Sequence, residues 1–295
     1  MMRKLKFLCI ILSICLCISS CGFSLEKASE KPKDGEIVVR FLDVGQGDSE
    51  LILLPDERVM LIDGGDTFCS EEIVAYLEDQ GIEKIDYIVA THPHADHIGG
   101  LDDVLSSFEV GKIILPEIGE SDIPTTVVYE RFLNAITVNG CEAVRAEGGL
   151  TLIDEEALEI ECLGPISSNY GDLNEYSAII KLTYGGVSFL FMGDATEDNE
   201  KELLNICADL DADVLKVGHH GSSTSSSARF LNAVTPDYAV ISVGEGNRYG
   251  HPHNEALKRI SDRKIKTYQT MDDGTIEMKC DGETVAITTT EDKIY

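Results

Sequence analysis

All seven histidines of this chain fall in three clusters, and each cluster comes at or shortly after the end of an apolar strand signal. His92, His94 and His97 follow the apolar run at residues 85–90, His219 and His220 follow 214–217, and His251 and His253 come soon after 238–243. Strand ends in a layered sheet deliver their side chains to a common cleft, so a fold for this chain must bring three distant segments to one sheet edge. The rest of the pattern supplies such sheets. Ile37, Val39 and Phe41 recur at period two, and 51–54 and 59–62 read as further strands. Ser70 with Glu71 and Glu72 opens a helix that Gly81 closes. Leu101, Val104, Leu105 and Phe108 then fall at i, i+3, i+4 and i+7, one face of another helix. In the second half, strands over 177–183 and 187–192 precede a Thr196-capped helix carrying Leu203, Leu204 and Cys207. The strand at 214–217 precedes a helix with Phe230, Leu231 and Val234, which stops before Pro236. The strand at 238–243 precedes an Asn254-capped helix with Leu257 and Ile260. Strands with interleaved helices predict an α/β fold with helices outside the sheets. No Pro/Gly-rich linker divides it, so 36–295 reads as a single domain.

The start of the chain has a different character. Arg3, Lys4 and Lys6 precede a run of twelve residues, 7–18, dominated by Leu, Ile and Cys. That run is short beside the roughly 20 residues a membrane-spanning helix needs, but it fits the core of a secretory signal. Residues 1–20 are therefore expected to be a signal peptide. The small residues ahead of Cys21 resemble the lipobox of bacterial lipoproteins, which implies a lipidated Cys21 at the extracytoplasmic face of the cell membrane. A plain signal peptide cut near Ser20, or a short anchor, is the alternative. Residues 21–35 are polar and aperiodic, a flexible tether behind the anchor. Cys69, Cys141, Cys162, Cys207 and Cys280 are scattered without metal-ligand spacing and read as small buried hydrophobes.

Acidic residues outnumber basic ones 53 to 24, for a formal net charge of −29. Removal of Arg3, Lys4 and Lys6 with the signal makes the mature chain more negative still. Duplex DNA is bound chiefly by neutralising its phosphates with Lys and Arg, so tight duplex binding is excluded. An enzyme that handles one phosphodiester at a time and screens its site with metal is not.

The chemistry concentrates in Thr91-His92-Pro93-His94-Ala95-Asp96-His97-Ile98-Gly99-Gly100. Alternation past the strand end puts His92 and His94 on one side, and Asp96 with His97 begins the next turn. Two imidazoles and a carboxylate–imidazole pair within six residues can serve two adjacent divalent cations. Such ligands suit zinc, manganese or iron better than magnesium or calcium. The plain alternative is a surface loop that happens to be rich in histidine.

His92, His94, Asp96 and His97 match the H-x-H-x-D-H signature of the metallo-β-lactamase superfamily, which the chain resembles. Further segments resemble its ComEC competence-protein branch. They are Phe41-Leu42-Asp43-Val44-Gly45-Gln46-Gly47-Asp48-Ser49, Leu61-Ile62-Asp63-Gly64-Gly65, Met192-Gly193-Asp194, Gly218-His219-His220-Gly221-Ser222 and Asn247-Arg248-Tyr249-Gly250-His251-Pro252. The resemblance runs in order over about residues 37–290. It implies the αββα sandwich of the superfamily, with a site for two divalent ions, zinc or manganese, at one edge. His92 and His94 would hold the first ion, and Asp96 and His97 the second. Asp194 would bridge the two, unless it is merely an acid near a helix start. His219 matches the histidine that completes the second ion, with His220 a pocket residue, and the two neighbours could exchange. Asp63 would orient a ligand imidazole, or else mark a hairpin turn. Many members bring a third histidine to the first ion from before the bridging aspartate, where this chain has none. Asn174 and Ser177 would line the site there, and the first ion would be held more weakly. His251 is left to approach that ion or a substrate oxyanion, with His253 peripheral. Asp96, His220 and His251 are thus the residues expected nearest the chemistry.

The resemblance implies an extracytoplasmic hydrolase that activates a water shared by two cations, acting on phosphodiesters, including DNA during competence. An ester, phosphocholine-type or lactone hydrolase of envelope material is the alternative enzyme, and the missing histidine argues against β-lactams. From another class comes a surface-binding lipoprotein with a vestigial metal site, against which the intact Asp96, His97 and Asp194 count. The expected partners are a small-molecule or single-stranded nucleic-acid substrate and a membrane touched only through the anchor, with the chain a monomer.

Overall fold

Two sheets stack face to face with helices over their outer surfaces, an αββα sandwich. The computed structural model describes residues 35–206 and 208–295. Numbered in chain order, the first sheet takes β1 (Ile37–Phe41), β2 (Glu50–Leu53), β3 (Val59–Ile62), β4 (Lys84–Val89), β5 (Glu109–Pro116), β6 (Glu142–Ala146), β14 (Thr275–Cys280) and β15 (Val285–Thr290). Their order across the sheet is β15-β14-β1-β2-β3-β4-β5-β6. The second takes β7 (Leu150–Asp154), β8 (Leu158–Gly164), β9 (Ile179–Tyr184), β10 (Val187–Phe191), β11 (Val214–Lys216), β12 (Tyr238–Ile241) and β13 (Lys266–Gln269), in order β13-β12-β11-β10-β9-β8-β7.

Each sheet is half antiparallel and half parallel. Strands β3 to β6 pair parallel, as do β10 to β13. Parallel neighbours need a crossover, and helices provide them. In the first sheet these are α1 (Ser70–Asp79), α2 (Ala95–Ile98), α3 (Leu101–Ser107) and α4 (Val127–Asn139). In the second they are α5 (Glu197–Asn205), α6 (Ala228–Val234) and α7 (Asn254–Ser261), and a short α8 (Thr270–Asp273) follows β13. The carboxyl ends of β4, β10, β11 and β12 carry the histidines and Asp194 to one rim.

Burial follows the layers. Phe41, Ile52, Met60 and Val89 of the first sheet meet Phe189, Phe191, Val214 and Val240 of the second. The rings of Phe41 and Phe191 stack across that interface with centroids 6.0 Å apart, a geometry that contributes about 0.5–1.5 kcal/mol beyond area burial. Ile73, Leu77, Leu101 and Val104 seal the helices onto the first sheet, and Leu203, Phe230, Leu231 and Ile260 seal those on the second.

Several boundaries differ from the sequence expectation. The strand expected from residue 177 starts at Ile179, because Ser177 ends a 3-10 turn over Leu173–Tyr176. Ser70 and Asn254 are the first residues of α1 and α7, behind Cys69 and His253 as caps. Thr196 does cap α5, in a capping box with Asn199. Cys69, Cys162 and Cys280 are free and buried. Cys21, the signal segment and nearly all of the tether lie outside the described residues. Among the described residues no helix is long and apolar enough to cross a membrane.

Candidate metal centre

The rim is stitched together where β4 ends. The Thr91 carbonyl accepts from Ala178 N, just before β9 of the second sheet, at 2.9 Å, so His92 and His94 leave the first sheet already docked against the second. His94 stays extended and caps α2, whose single turn carries Asp96 and His97. The turn is gripped from both sides, by Asp48 N donating to Asp96 O at 3.1 Å and Gly64 N donating to His97 O at 2.7 Å. Gly47 makes that grip close: a Cβ there would lie 2.4 Å from Asp96 O, and its φ of +148° is a glycine conformation.

Asp63, at the end of β3, is fully buried and spends its carboxylate on this segment. Its Oδ1 accepts from Thr91 N at 2.8 Å, and its Oδ2 accepts from Thr91 Oγ1 at 2.6 Å and lies 2.7 Å from His97 Nδ1. With Nδ1 so engaged, the Nε2 of His97 is the ring atom left for a ligand.

Asp194 follows β10 through Gly193, where a Cβ would press on Thr91 and Ser177 at 3.0–3.2 Å. Ser177 does not line the cavity; its Oγ accepts from Asp194 N at 3.0 Å and fixes the turn. After β11, His219 and His220 both adopt left-handed backbone, with φ of 50° and 51°, so their rings diverge. The two oxygens of Asp194 divide the imidazoles between them. Oδ1 lies 3.4 Å from His97 Nε2 and 3.4 Å from His220 Nε2. Oδ2 lies 3.7 Å from His92 Nε2 and 3.9 Å from His219 Nε2.

Three overlapping groups able to hold a cation result: His92 with His94 and Asp194, Asp96 with His97 and His220, and Asp48 with His97 and Asp194, the last of which Lys216 already occupies through Asp48. This differs from the expectation that His219 completes the second group. The reason is local: His220 Nδ1 donates to Ser242 O at 2.9 Å, turning its Nε2 toward Asp96 Oδ2 at 3.5 Å, while His219 contacts Thr224 Oγ1 at 3.3 Å.

The donor chemistry fits divalent cations. His97 Nε2, His220 Nε2 and Asp194 Oδ1 are buried and lack hydrogen-bond partners, and such orphans are costly unless something else satisfies them. Burial, aided by the charge of His97, holds the His92 ring well below the usual imidazole range and so neutral. Burial opposes charge on His97 and His220 as well, but the Asp194 carboxylate, with Asp63 or Asp48, outweighs it; His97 is pushed well up and His220 to about 10. Protons on these rings balance the acids of the cluster, and a cation would displace them.

Beneath the site lies a buried layer that the sequence reading passed over. Lys216 of β11 donates to Asp48 Oδ2 at 2.6 Å, and both side chains are 1% exposed. Burial raises the Asp48 carboxyl, yet Lys216 and His220 pull it down to about 2. Its neighbour Glu50 is pushed well above the carboxylate range by burial and by Asp48. The signal was present: a lysine inside an apolar parallel strand needs an acid, and Asp48 stands in the Phe41–Ser49 motif.

A cavity of about 740 Å³ opens over the cluster, lined by His94, Asp96, Asn174, Asp194, His219, His220 and His251, with Gln46, Asn247, Arg248 and Tyr249 at its wall. Asn174 Oδ1 and His251 Nδ1 are buried without a partner. Burial and the charges of His220 and His219 lower His251 to about 4. His253 accepts from Ser223 N through Nδ1 at 2.9 Å, outside the cavity lining.

Comparison with known proteins follows the same lines. A family model described as the metallo-beta-lactamase superfamily matches residues 42–245. ComE operon protein 3 of Bacillus subtilis (strain 168) is 31% identical over 258 residues, 82% of this chain and 33% of that protein. Competence protein ComA of Neisseria gonorrhoeae is 30% identical over 246 residues, 82% of this chain and 32% of that protein. The chain thus spans about a third of the length of the curated relatives it matches. Among solved structures, CmlA, a diiron beta-hydroxylase from Streptomyces venezuelae, superposes with a TM-score of 0.56 at 15% identity, over 84% of this chain and 55% of that one.

Proposed function

The chain belongs to the metallo-beta-lactamase superfamily, and from that premise we propose that it is a metal-dependent phosphodiesterase acting on nucleic acid at the outer face of the cell membrane. One observation carries the reading: the oxygens of a single buried carboxylate, Asp194, each face a separate pair of imidazoles. His92, His94 and Asp194 would hold one divalent cation, zinc or manganese. Asp96, His97, His220 and Asp194 would hold the other. His219, 3.9 Å from Asp194 Oδ2 on the His92 side, would be the imidazole nearest to completing the first group in place of the one that the segment before Asp194 lacks.

Such a pair of cations supplies the acidity that ionises water near neutral pH and the positive charge that offsets negative charge building on a phosphoryl group. The chain does the rest. Asp63 and the Ser242 carbonyl fix the orientation of His97 and His220, so that each presents Nε2. Asn174 offers its free Oδ1 to the cavity. His251, neutral at physiological pH, hydrogen-bonds a substrate oxygen beside the cluster. The name of the Neisseria gonorrhoeae relative, competence protein ComA, supports a nucleic-acid substrate.

Purified full chain should carry about two divalent ions and cleave bis(p-nitrophenyl) phosphate. Asp194→Asn keeps the shape and removes the anionic bridge. It should lower metal content and reduce turnover by several orders of magnitude with an unchanged circular dichroism spectrum. Full metal content and near wild-type turnover in that variant would overturn the two-cation reading.

A further inference from the structure

The segment after β12 uses its side chains for two different ends. Asn247 braces the backbone. Its Oδ1 accepts from Tyr249 N at 3.2 Å and His251 N at 3.0 Å, and its Nδ2 donates to Gly244 O at 3.0 Å and His251 O at 2.6 Å. Arg248 and Tyr249 brace nothing comparable, yet both line the cavity, and Tyr249 is 47% exposed. The Tyr249 ring stacks with His251 at 5.6 Å and 21°. The Arg248 guanidinium lies 4.8 Å from the Tyr249 centroid and donates to Tyr249 Oη at 2.6 Å.

The setting of this guanidinium has no structural account. Among the described residues Arg248 forms no ion pair, although acids outnumber bases 53 to 24 in the chain. It is the cavity's one Lys or Arg among the described residues, beside the carboxylates of Asp66, Asp96 and Asp194. In the reading above, Asp96 and Asp194 belong to cations, and Asp66 caps the turn at Thr67. One hydrogen bond to Tyr249 leaves most of the planar fork free, and that fork matches the oxygens of a phosphate. An arginine on an aromatic ring beside a site for phosphodiester chemistry also provides stacking surface for an unpaired base.

We propose that Arg248, held against Tyr249 on the Asn247-braced loop, receives the phosphate adjacent to the scissile one, so that the substrate is a single-stranded oligonucleotide rather than an isolated diester. The proposal rests on the phosphodiesterase reading and adds the residue that selects a chain of phosphates. A lone diester offers Arg248 nothing to hold.

The test crosses a substrate phosphate with the residue. Wild type, Arg248→Gln and Arg248→Lys are assayed on the dinucleotide dTdT and on dTdT bearing a terminal phosphate at its 5′ or its 3′ end. Wild type should favour one phosphorylated form through KM by about tenfold, which corresponds to about 1.4 kcal/mol. Arg248→Gln should bring that ratio close to one, and Arg248→Lys should keep part of it, as a point charge without the fork. A ratio that is absent in wild type, or unchanged in Arg248→Gln, overturns the proposal. Binding of a fluorescein-labelled phosphorothioate octamer of dT, followed by anisotropy, reads Arg248 without turnover. Affinity at least fivefold weaker in Arg248→Gln supports Arg248 as the group that holds a phosphate of the strand; if no diester is cut as well, the phosphodiesterase reading fails and the scissile-neighbour part of the proposal with it. Equal affinity overturns it, as does competition by a glycerol-phosphate polymer with none by the oligonucleotide.

Discussion

Asp48 and Lys216 show what one buried pair does for a reactive surface above it. Asp48 lies under His220, with its Oδ1 3.3 Å from that ring's Nδ1, and Lys216 supplies the compensating charge from β11. Removing one partner of a buried pair strands the other charge, at a cost of about 3–5 kcal/mol. Lys216→Met should therefore lower unfolding stability by about that amount, read as a drop in the urea midpoint, and Asp48→Asn in the same chain should recover part of it. A loss under about 1 kcal/mol would show that the pair is dispensable. At this scale the sequence was legible where residue type is diagnostic. His92, His94, Asp96 and His97 announce their chemistry by spacing alone. Asp48, Glu50 and Lys216 do not: a lysine inside an apolar strand signals that an acid is needed, but which acid meets it shows only once the two sheets have stacked. The exchange between His219 and His220 was illegible for another reason: it depends on two left-handed backbone conformations and on the Ser242 carbonyl, neither of which has a pattern in sequence.

Among the elements, the turn after His220 is held most firmly. The Glu200 carboxylate of α5 accepts from Ser226 N and from Ser227 N, the latter at 2.9 Å. From α7, Arg259 donates to the carbonyls of Ser223, Ser225 and Ser226 at 2.6–3.1 Å. Two crossover helices thereby clamp the loop that presents both histidines. Burial raises the Glu200 carboxyl from 4.5 to about 7, against the pull of those hydrogen bonds and with a further push from Glu197. A carboxyl raised on folding holds its proton in the native state after the unfolded state has lost it. Its contribution to stability is therefore lost as pH rises from about 4.5 to about 7, on the order of 3 kcal/mol in all. Glu200→Gln does not titrate and should flatten that portion of a stability–pH profile measured by urea unfolding. Identical slopes in both proteins would show that Glu200 ionises normally. Some of the elements that escaped the sequence reading, such as β8 and β14, are regular and largely buried, and others have weak patterns. Strand β6 is mostly exposed, with Glu142 and Arg145 among its apolar residues, so alternation is blurred. Before the histidine clusters, β11 is buried throughout, β12 nearly so, and β4 at its end, and these strands read clearly.

For the whole molecule, an acidic chain would need help in staying near the polyanionic substrate proposed for it, and a lipid on Cys21 would provide it by confining the domain to a surface. Cys21→Ala should move the protein out of the membrane fraction or block its processing, as followed by fractionation and intact mass. Unchanged membrane retention of a fully processed chain would refute the anchor. The assembly of the metal centre has a consequence for where the protein obtains its ions. His92 to His97 come from the first sheet and Asp194, His219 and His220 from the second, with β5 to β10 between them in the chain. A nascent or half-translocated segment that ends before Asp194 contains only the first of the two sets. The cluster exists only after the two sheets have closed, so the compartment in which folding finishes selects the metal from whatever it holds, and the same ligands would load differently on either side of a membrane.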